Sequence, residues 1–218
     1  MELNSQRTET YFQRRANQFD ALYEGKRWWY YCNRLFRRAL YERVQITLDA
    51  LRNLRDFSVL DVGCGSGRNS VLFAKAGARR VVGIDFAENM IALAQQYGHN
   101  RGVENTCDFI KADALSYSFQ ERFECVVALG VFDYIADPRE LLRRMIDLST
   151  DTVVGSFPKP SFVRAPLRKL RYALRDCSVY FFSKHRLESI CREVGLRDFK
   201  LLPCGGAGYV LVGHVRMK

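Results

Sequence analysis

From residue 57 onward, short apolar runs alternate with stretches whose apolar positions recur every three or four residues. This rhythm predicts strands at 57–62, 80–84, 106–110, 123–129 and 151–156, with helices at about 67–76, 87–98 and 138–148. The strand runs are rich in Val and Ile and lack polar alternation, as expected of strands buried on both faces. Regular exchange of strand and helix means parallel strands joined by right-handed crossovers. Two last runs, 199–202 and 209–215, flank Cys204-Gly205-Gly206 and read as a hairpin. The helix after the first strand is expected to turn Leu72, Phe73 and Ala76 inward.

Helical periodicity also precedes the first strand. Over residues 5–24, Tyr11, Phe12, Ala16, Phe19, Leu22 and Tyr23 fall at spacings of three and four, and Gly25 breaks the pattern. Residues 26–54 continue as a second helix dense in arginines and aromatics. Its stripe of Leu40, Val44, Leu48 and Leu51 is expected to dock beside the first strand. Basic and aromatic residues on one helix suit a solvated face over a buried stripe, and equally a membrane surface or a negatively charged substrate. Residues 157–182 are too long and too aromatic for a plain connector. They are expected to cover a substrate, Arg164, Arg168, Lys169 and Arg171 collecting carboxylates or phosphates while Phe162, Leu167, Leu170 and Tyr172 form an apolar wall. A solvated basic helix is the alternative. The chain therefore divides into N-terminal helices, 1–54, and an α/β domain, 55–218, carrying the 157–182 insertion.

Length and composition narrow the picture. With 218 residues, 48% of them hydrophobic, one α/β domain can bury a substantial core. No apolar run approaches the roughly 20 residues needed to span a bilayer, and the N-terminus is polar, so a soluble, cytoplasmic protein is expected. Seven scattered cysteines, without a C-x-x-C pair or a Cys/His cluster, predict reduced structural thiols and no metal site. The net charge of +10 is uneven: residues 1–55 carry +5, 56–156 carry −4, 157–182 carry +5 and 183–218 carry +4. An acidic centre sits between basic flanks.

The acidic centre contains the chain's chemistry. Val59-Leu60-Asp61-Val62-Gly63-Cys64-Gly65-Ser66-Gly67-Arg68 compresses a strand, a glycine turn and a helix start into ten residues, the context of a nucleotide-cofactor loop. A dinucleotide fingerprint is G-x-G-x-x-G with a pyrophosphate at the helix N-terminus. Here Arg68 stands where the third glycine would be, and Asp61 precedes the first glycine by two. The acid disfavours a pyrophosphate and suits a ligand bearing ammonium and sulfonium groups. Asp85 ends the second strand about twenty residues on, where a carboxylate can accept both ribose hydroxyls. Asp113 ends the third.

With Asp61, Gly63, Gly65 and Gly67 in the form D-x-G-x-G-x-G, the chain resembles the class I S-adenosylmethionine (SAM)-dependent methyltransferases. The likeness is specific over residues 55–156 and loose elsewhere. It implies a doubly wound, seven-stranded, mostly parallel α/β sheet with an antiparallel last hairpin. It also implies a SAM site: Asp61 near the methionyl ammonium, Gly63, Cys64, Gly65 and Gly67 along the ligand, Asp85 on the ribose, Phe86 and Met90 beside adenine, Asp113 on the adenine amino group with Ala114 adjoining, and Leu129 beneath the methionine. In the resembled family an N-terminal helix folds over the cofactor, matched here by Tyr11, Phe12, Phe19 and Asp20. Tyr11, Arg168, Arg171 and Tyr172 are the expected acceptor contacts.

The loop after the fourth strand, Val131 to Pro138, is the expected reaction floor. Family members often carry Glu-His before an Asp-Pro, but Asp133 and Tyr134 occupy those positions, so a histidine base does not carry over. Asp133 and Tyr134 are the candidates for deprotonating or hydrogen-bonding the acceptor. An Asn/Asp-Pro-Pro-aromatic motif is absent here, which disfavours nucleic acid. Pro203-Cys204 resembles the dipeptide of cytosine C5-methylating enzymes but lies too near the C-terminus. The expected acceptor is a small acidic or hydrophobic molecule, as in enzymes methylating quinone precursors and magnesium-protoporphyrin. An RNA or protein acceptor and a SAM-binding regulator without turnover are the alternatives, and oligomeric state is open.

Overall fold

The computed structural model describes residues 29–52, 54–160, 178–206 and 208–215, the first nine of them by backbone alone. The proposed lid helix at 5–24, with Tyr11, and the arginine-rich cover, with Arg168, Arg171 and Tyr172, lie outside the described residues.

A long helix, α1 (Trp29–Leu51), leads into β1 (Ser58–Val62), α2 (Arg68–Lys75), β2 (Arg80–Asp85), α3 (Glu88–Asn100), β3 (Cys107–Lys111) and β4 (Phe123–Ala128). A single 3-10 turn, Phe132–Tyr134, precedes α4 (Arg139–Leu148), β5 (Ser149–Pro158), α5 (Lys184–Glu193), β6 (Asp198–Cys204) and β7 (Gly208–His214). The seven strands lie in the order β3-β2-β1-β4-β5-β7-β6. β1 to β5 are parallel, and β7 runs antiparallel to both neighbours.

Successive strand residues point to opposite faces, and here both faces are buried. Val59, Val81, Val127, Val154 and Val210 face α2's Val71 and Phe73 and the end of α1 at Leu51. Their neighbours Leu60, Val82, Val126, Val153 and Leu211 face Leu142 and Met145 of α4 and Leu187 and Ile190 of α5. Paired apolar residues thus serve two cores at once, which explains the unbroken runs.

Three details depart from the expectations. β5 is longer than predicted because its antiparallel pairing with β7 continues to Pro158 opposite Gly208. In α2, Leu72 is 41% exposed and Ala76 is exposed, while Ser70, Val71 and Phe73 turn inward. Ser70 takes a core-facing place where its hydroxyl donates to buried Asp61 at 2.6 Å, beside Val71 and Phe73, which fill the core on the same face. α1 packs chiefly on β5, β6 and β7 rather than beside β1. Its inward stripe does include Leu40, Val44, Leu48 and Leu51, but the tip of the β6–β7 hairpin captures it at Ala39 and Glu42.

Candidate functional site

Strand order reverses at β1, whose successor β2 lies on one side and β4 on the other. Such a reversal leaves a crevice beyond the carboxyl ends of the strands, where open α/β sheets bind ligands. The glycine loop Gly63–Gly67 leaves β1 at that point.

The loop is held by backbone bonds to β2. The N–H groups of Gly63 and Cys64 both donate to the Ile84 carbonyl, at 2.8 and 3.1 Å. Gly63, Gly65 and Gly67 have φ of 66°, 55° and 73°, the left-handed region. At Gly67 the need for glycine is doubled, because a Cβ would stand 2.9 Å from both Ala94 Cβ and Phe109 Cζ. At Gly65 nothing among the described residues lies within 4 Å of a Cβ position, so on their side the loop crest is open to a ligand. Gly67→Ala is expected to destabilise the protein by about 2–4 kcal/mol, combining left-handed strain and overpacking; the denaturant midpoint measures it, and an unchanged midpoint contradicts the steric account.

Asp85 is built into the loop as well as facing it. Its Oδ2 accepts from Gly65 N at 3.0 Å and its Oδ1 from Ala87 N at 2.9 Å. Burial raises its pKa above the usual carboxylate value, and the N–H groups of Ala87, Gly65 and Phe86 oppose that shift. Each carboxylate oxygen still has lone-pair capacity beyond its backbone bond. Beside it Ala87 and Met90 are buried and pack with half-buried Phe86 and Leu93 as a small apolar cluster, separate from the two main cores.

Asp61 is enclosed beneath the loop at 1% exposure, with Ser70 Oγ as hydrogen-bond donor. Burial pushes its pKa up to about 7; the Ser70 hydroxyl opposes this, the Asp85 charge adds to it, and Arg43 acts the other way. Cys64 is buried, and its thiol is pushed far up by burial and by Asp61 and Asp85, so it is an inert part of the wall. Asp113 is exposed at the end of β3, where its Oδ1 accepts from Leu115 N at 3.0 Å; Ala114 beside it is buried. Leu129 is buried at the end of β4.

The floor is fixed from below. Phe132 stacks on Phe157 with ring centroids 4.2 Å apart, and Phe157 meets Phe182 edge to face at 5.6 Å. This aromatic stack pins the 3-10 turn, leaving Asp133 and Tyr134 half-buried above it. Tyr180 N donates to the Asp133 carbonyl at 2.9 Å, tying the segment before α5 to the same turn. His185 is exposed in the first turn of α5, whose cap is Ser183 accepting from Arg186 N.

One residue of the site was not picked out in the sequence. Arg43 of α1 brings its guanidinium against Gly130, where a Cβ would stand 3.1 Å from Nη1 and 3.5 Å from Nη2. Its Nε is buried and has no hydrogen-bond acceptor among the described residues. A cation so placed, within electrostatic reach of Asp61, calls for an anionic partner. The signal was present: Arg43 falls at helical spacing between Ala39 and Thr47, on the face that packs on the sheet, where a charge is unusual.

Comparison with known proteins bears on the same segment. Residues 59–151 match the family model of a methyltransferase domain. Over 96 residues the chain is 38% identical to a ubiquinone biosynthesis O-methyltransferase from Pseudomonas fluorescens (strain SBW25), a match covering 44% of this chain and 41% of that protein. The chain thus spans less than half the length of the curated relatives it matches. Among solved structures, magnesium protoporphyrin IX methyltransferase from Synechocystis PCC 6803 with bound S-adenosylhomocysteine (SAH) is similar with a TM-score of 0.77 at 20% identity, over 96% of this chain and 98% of that one. A SAM-dependent methyltransferase from Thermotoga maritima, described as a possible histamine N-methyltransferase, aligns with a TM-score of 0.69 at 17% identity, over 95% and 99%.

Proposed function

We propose, from the match of residues 59–151 to a methyltransferase domain, that this protein is of the class I SAM-dependent kind and transfers a methyl group from SAM to a nucleophilic atom of a small acidic or hydrophobic molecule. The observation that carries the reading is the glycine crest at the strand-order reversal, flanked by the Asp85 carboxylate on one side and on the other by Arg43, whose buried Nε has no acceptor among the described residues.

This donor set fits the cofactor. Asp85 supplies acceptors for the ribose hydroxyls, Phe86 and Met90 supply apolar surface for adenine, and Asp113 supplies an acceptor for its amino group. Arg43 offers the methionyl carboxylate a charge-assisted partner, while Asp61 lies under the loop on the side of the ammonium. Leu129 and Gly130 underlie the methionine portion. SAM supplies the electrophilic methyl and a neutral thioether leaving group.

The chain's own contribution is orientation and exclusion of water. The turn at Phe132–Tyr134, pinned by Phe157 and Phe182, would hold the acceptor at the floor of the site. The acceptor's proton would pass to the Asp133 carboxylate, with the Tyr134 hydroxyl hydrogen-bonding the acceptor. The basic flanks, including Arg168, Arg171 and Tyr172 of the 157–182 segment and Tyr11 at the N-terminus, then serve the acceptor. Among the described residues no helix is long and apolar enough to cross a membrane, so a membrane-dissolved acceptor would be reached from the surface.

Calorimetry with SAM, SAH and NAD tests the reading. Micromolar binding of either sulfur ligand is expected, followed by transfer of labelled methyl to hydrophobic acids, porphyrins or phenols. Binding of NAD alone overturns it.

A further inference from the structure

We infer that the tip of the C-terminal β6–β7 hairpin positions Arg43 for the cofactor by clamping α1 at the preceding turn, which makes Glu42 and Gly205 positioning residues. The inference rests on the reading of Gly63–Gly67 as the SAM loop and adds a remote determinant of its affinity.

The clamp has three parts. Cys204 Sγ donates to the Ala39 carbonyl at 3.0 Å. Gly205 N donates to Glu42 Oε2. Gly205 itself has a φ of 52°, and a Cβ there would stand 2.6–2.7 Å from the Ala39 backbone, so hairpin and helix touch main chain to main chain. Arg38 binds the other Glu42 oxygen at 2.5 Å and holds the carboxylate toward the hairpin. These contacts lower the Glu42 pKa, Arg38 first and Gly205 second, so the acceptor stays ionised at neutral pH.

Arg43 follows Glu42 directly on the helix. Thr47, one turn further, is fully buried and donates its hydroxyl to the Arg43 carbonyl at 2.8 Å. A helix is stiff over one turn, so the Glu42–Gly205 contact fixes both the axial position and the rotation with which Arg43 enters the site. The long side chain of Arg43 reaches Gly130 beyond β4, while the clamp sits on β6 and β7 across the sheet. The buried thiol of Cys204, raised in pKa chiefly by burial, is part of this packing.

A double-mutant cycle read by SAH calorimetry tests the inference. Glu42→Ala is expected to weaken SAH about 5–10-fold, and Glu42→Gln, which keeps an oxygen acceptor for Gly205 N–H, to stay within about 2-fold of the unsubstituted protein. Gly205→Ala is expected to weaken SAH about as much as Glu42→Ala. In an Arg43→Ala background, where SAH is followed to millimolar concentration, Glu42→Ala is expected to have almost no further effect, because coupled residues are not additive. Full additivity with Arg43→Ala, or unchanged affinity in Glu42→Ala, overturns the clamp. Thermal unfolding separates loss of fold from loss of affinity, and if Gly205→Ala does not fold, the two Glu42 variants and the Arg43 cycle decide the matter. Absence of SAH binding by the unsubstituted protein fails the cofactor reading instead, and the clamp with it.

Discussion

Asp85→Ala is expected to weaken SAM and SAH binding by at least about 100-fold while leaving the far-ultraviolet circular dichroism unchanged. Two losses combine. The ribose hydroxyls lose charged acceptors, each such bond being worth about 1.5–3 kcal/mol, and the loop loses the carboxylate that receives Gly65 N and Ala87 N. Asp85→Asn separates the two. Its carbonyl oxygen can receive one of those N–H groups, but its amide cannot receive the other, so affinity should fall while the fold retains more of its stability than in the alanine variant. Calorimetry against SAH measures both. Unchanged affinity in Asp85→Ala would remove the ribose assignment, whatever else binds at the loop.

Asp61→Asn is expected to change the dependence of stability on pH between about 4 and 7 strongly. The native Asp61 pKa is pushed up to about 7 by burial, against an ordinary value near 3.9 in the unfolded chain. Between those values the native state binds more protons than the unfolded state, so stability falls as pH rises from about 4 to about 7 and then levels off. Over roughly three pH units this amounts to at most about 4 kcal/mol. Asparagine keeps an oxygen for the Ser70 hydroxyl and cannot ionise. The variant should therefore lack this slope and, without ligand, be the more stable protein at pH 8. Denaturant unfolding from pH 4 to 8 measures it, and parallel curves for the two proteins contradict it.

The same residue makes a second claim on the calorimeter. If the ligand's ammonium lies by Asp61, binding lowers the raised pKa and releases protons near pH 6.5, seen as a dependence of apparent enthalpy on buffer. Asp61→Asn should abolish that dependence and weaken SAH. The gain in stability and the loss of affinity have one cause: a carboxylate kept ionisable in a place that disfavours its charge.

Most of the sheet was legible because its signal is local. Residues 59–60, 81–82, 126–127 and 153–154 are pairs of apolar neighbours, and only a strand buried on both faces needs such pairs. The glycine loop was legible for a similar reason: left-handed backbone at 63, 65 and 67 requires glycine whatever surrounds it. The misreading of α2 shows the limit of such signals. Hydropathy turned Leu72 inward, whereas the helix buries Ser70, Val71 and Phe73 together, Ser70 reaching Asp61 nine residues away by a hydrogen bond that no local period announces.

What the amino-acid sequence determined by itself is therefore the rhythm of strands and helices, the glycine loop with its acids at Asp61, Asp85 and Asp113, and the resemblance that rests on them. These depend on backbone conformation and on apolar periodicity within a few residues. Only the tertiary structure decided that α1 lies on β5–β7, that Glu42 meets Gly205 from 163 residues away, and that Arg43 reaches Gly130 with its Nε unsatisfied. A contact between distant segments leaves no period in either of them; it exists only once the sheet has brought the two together, and burial then decides what charge the site will hold.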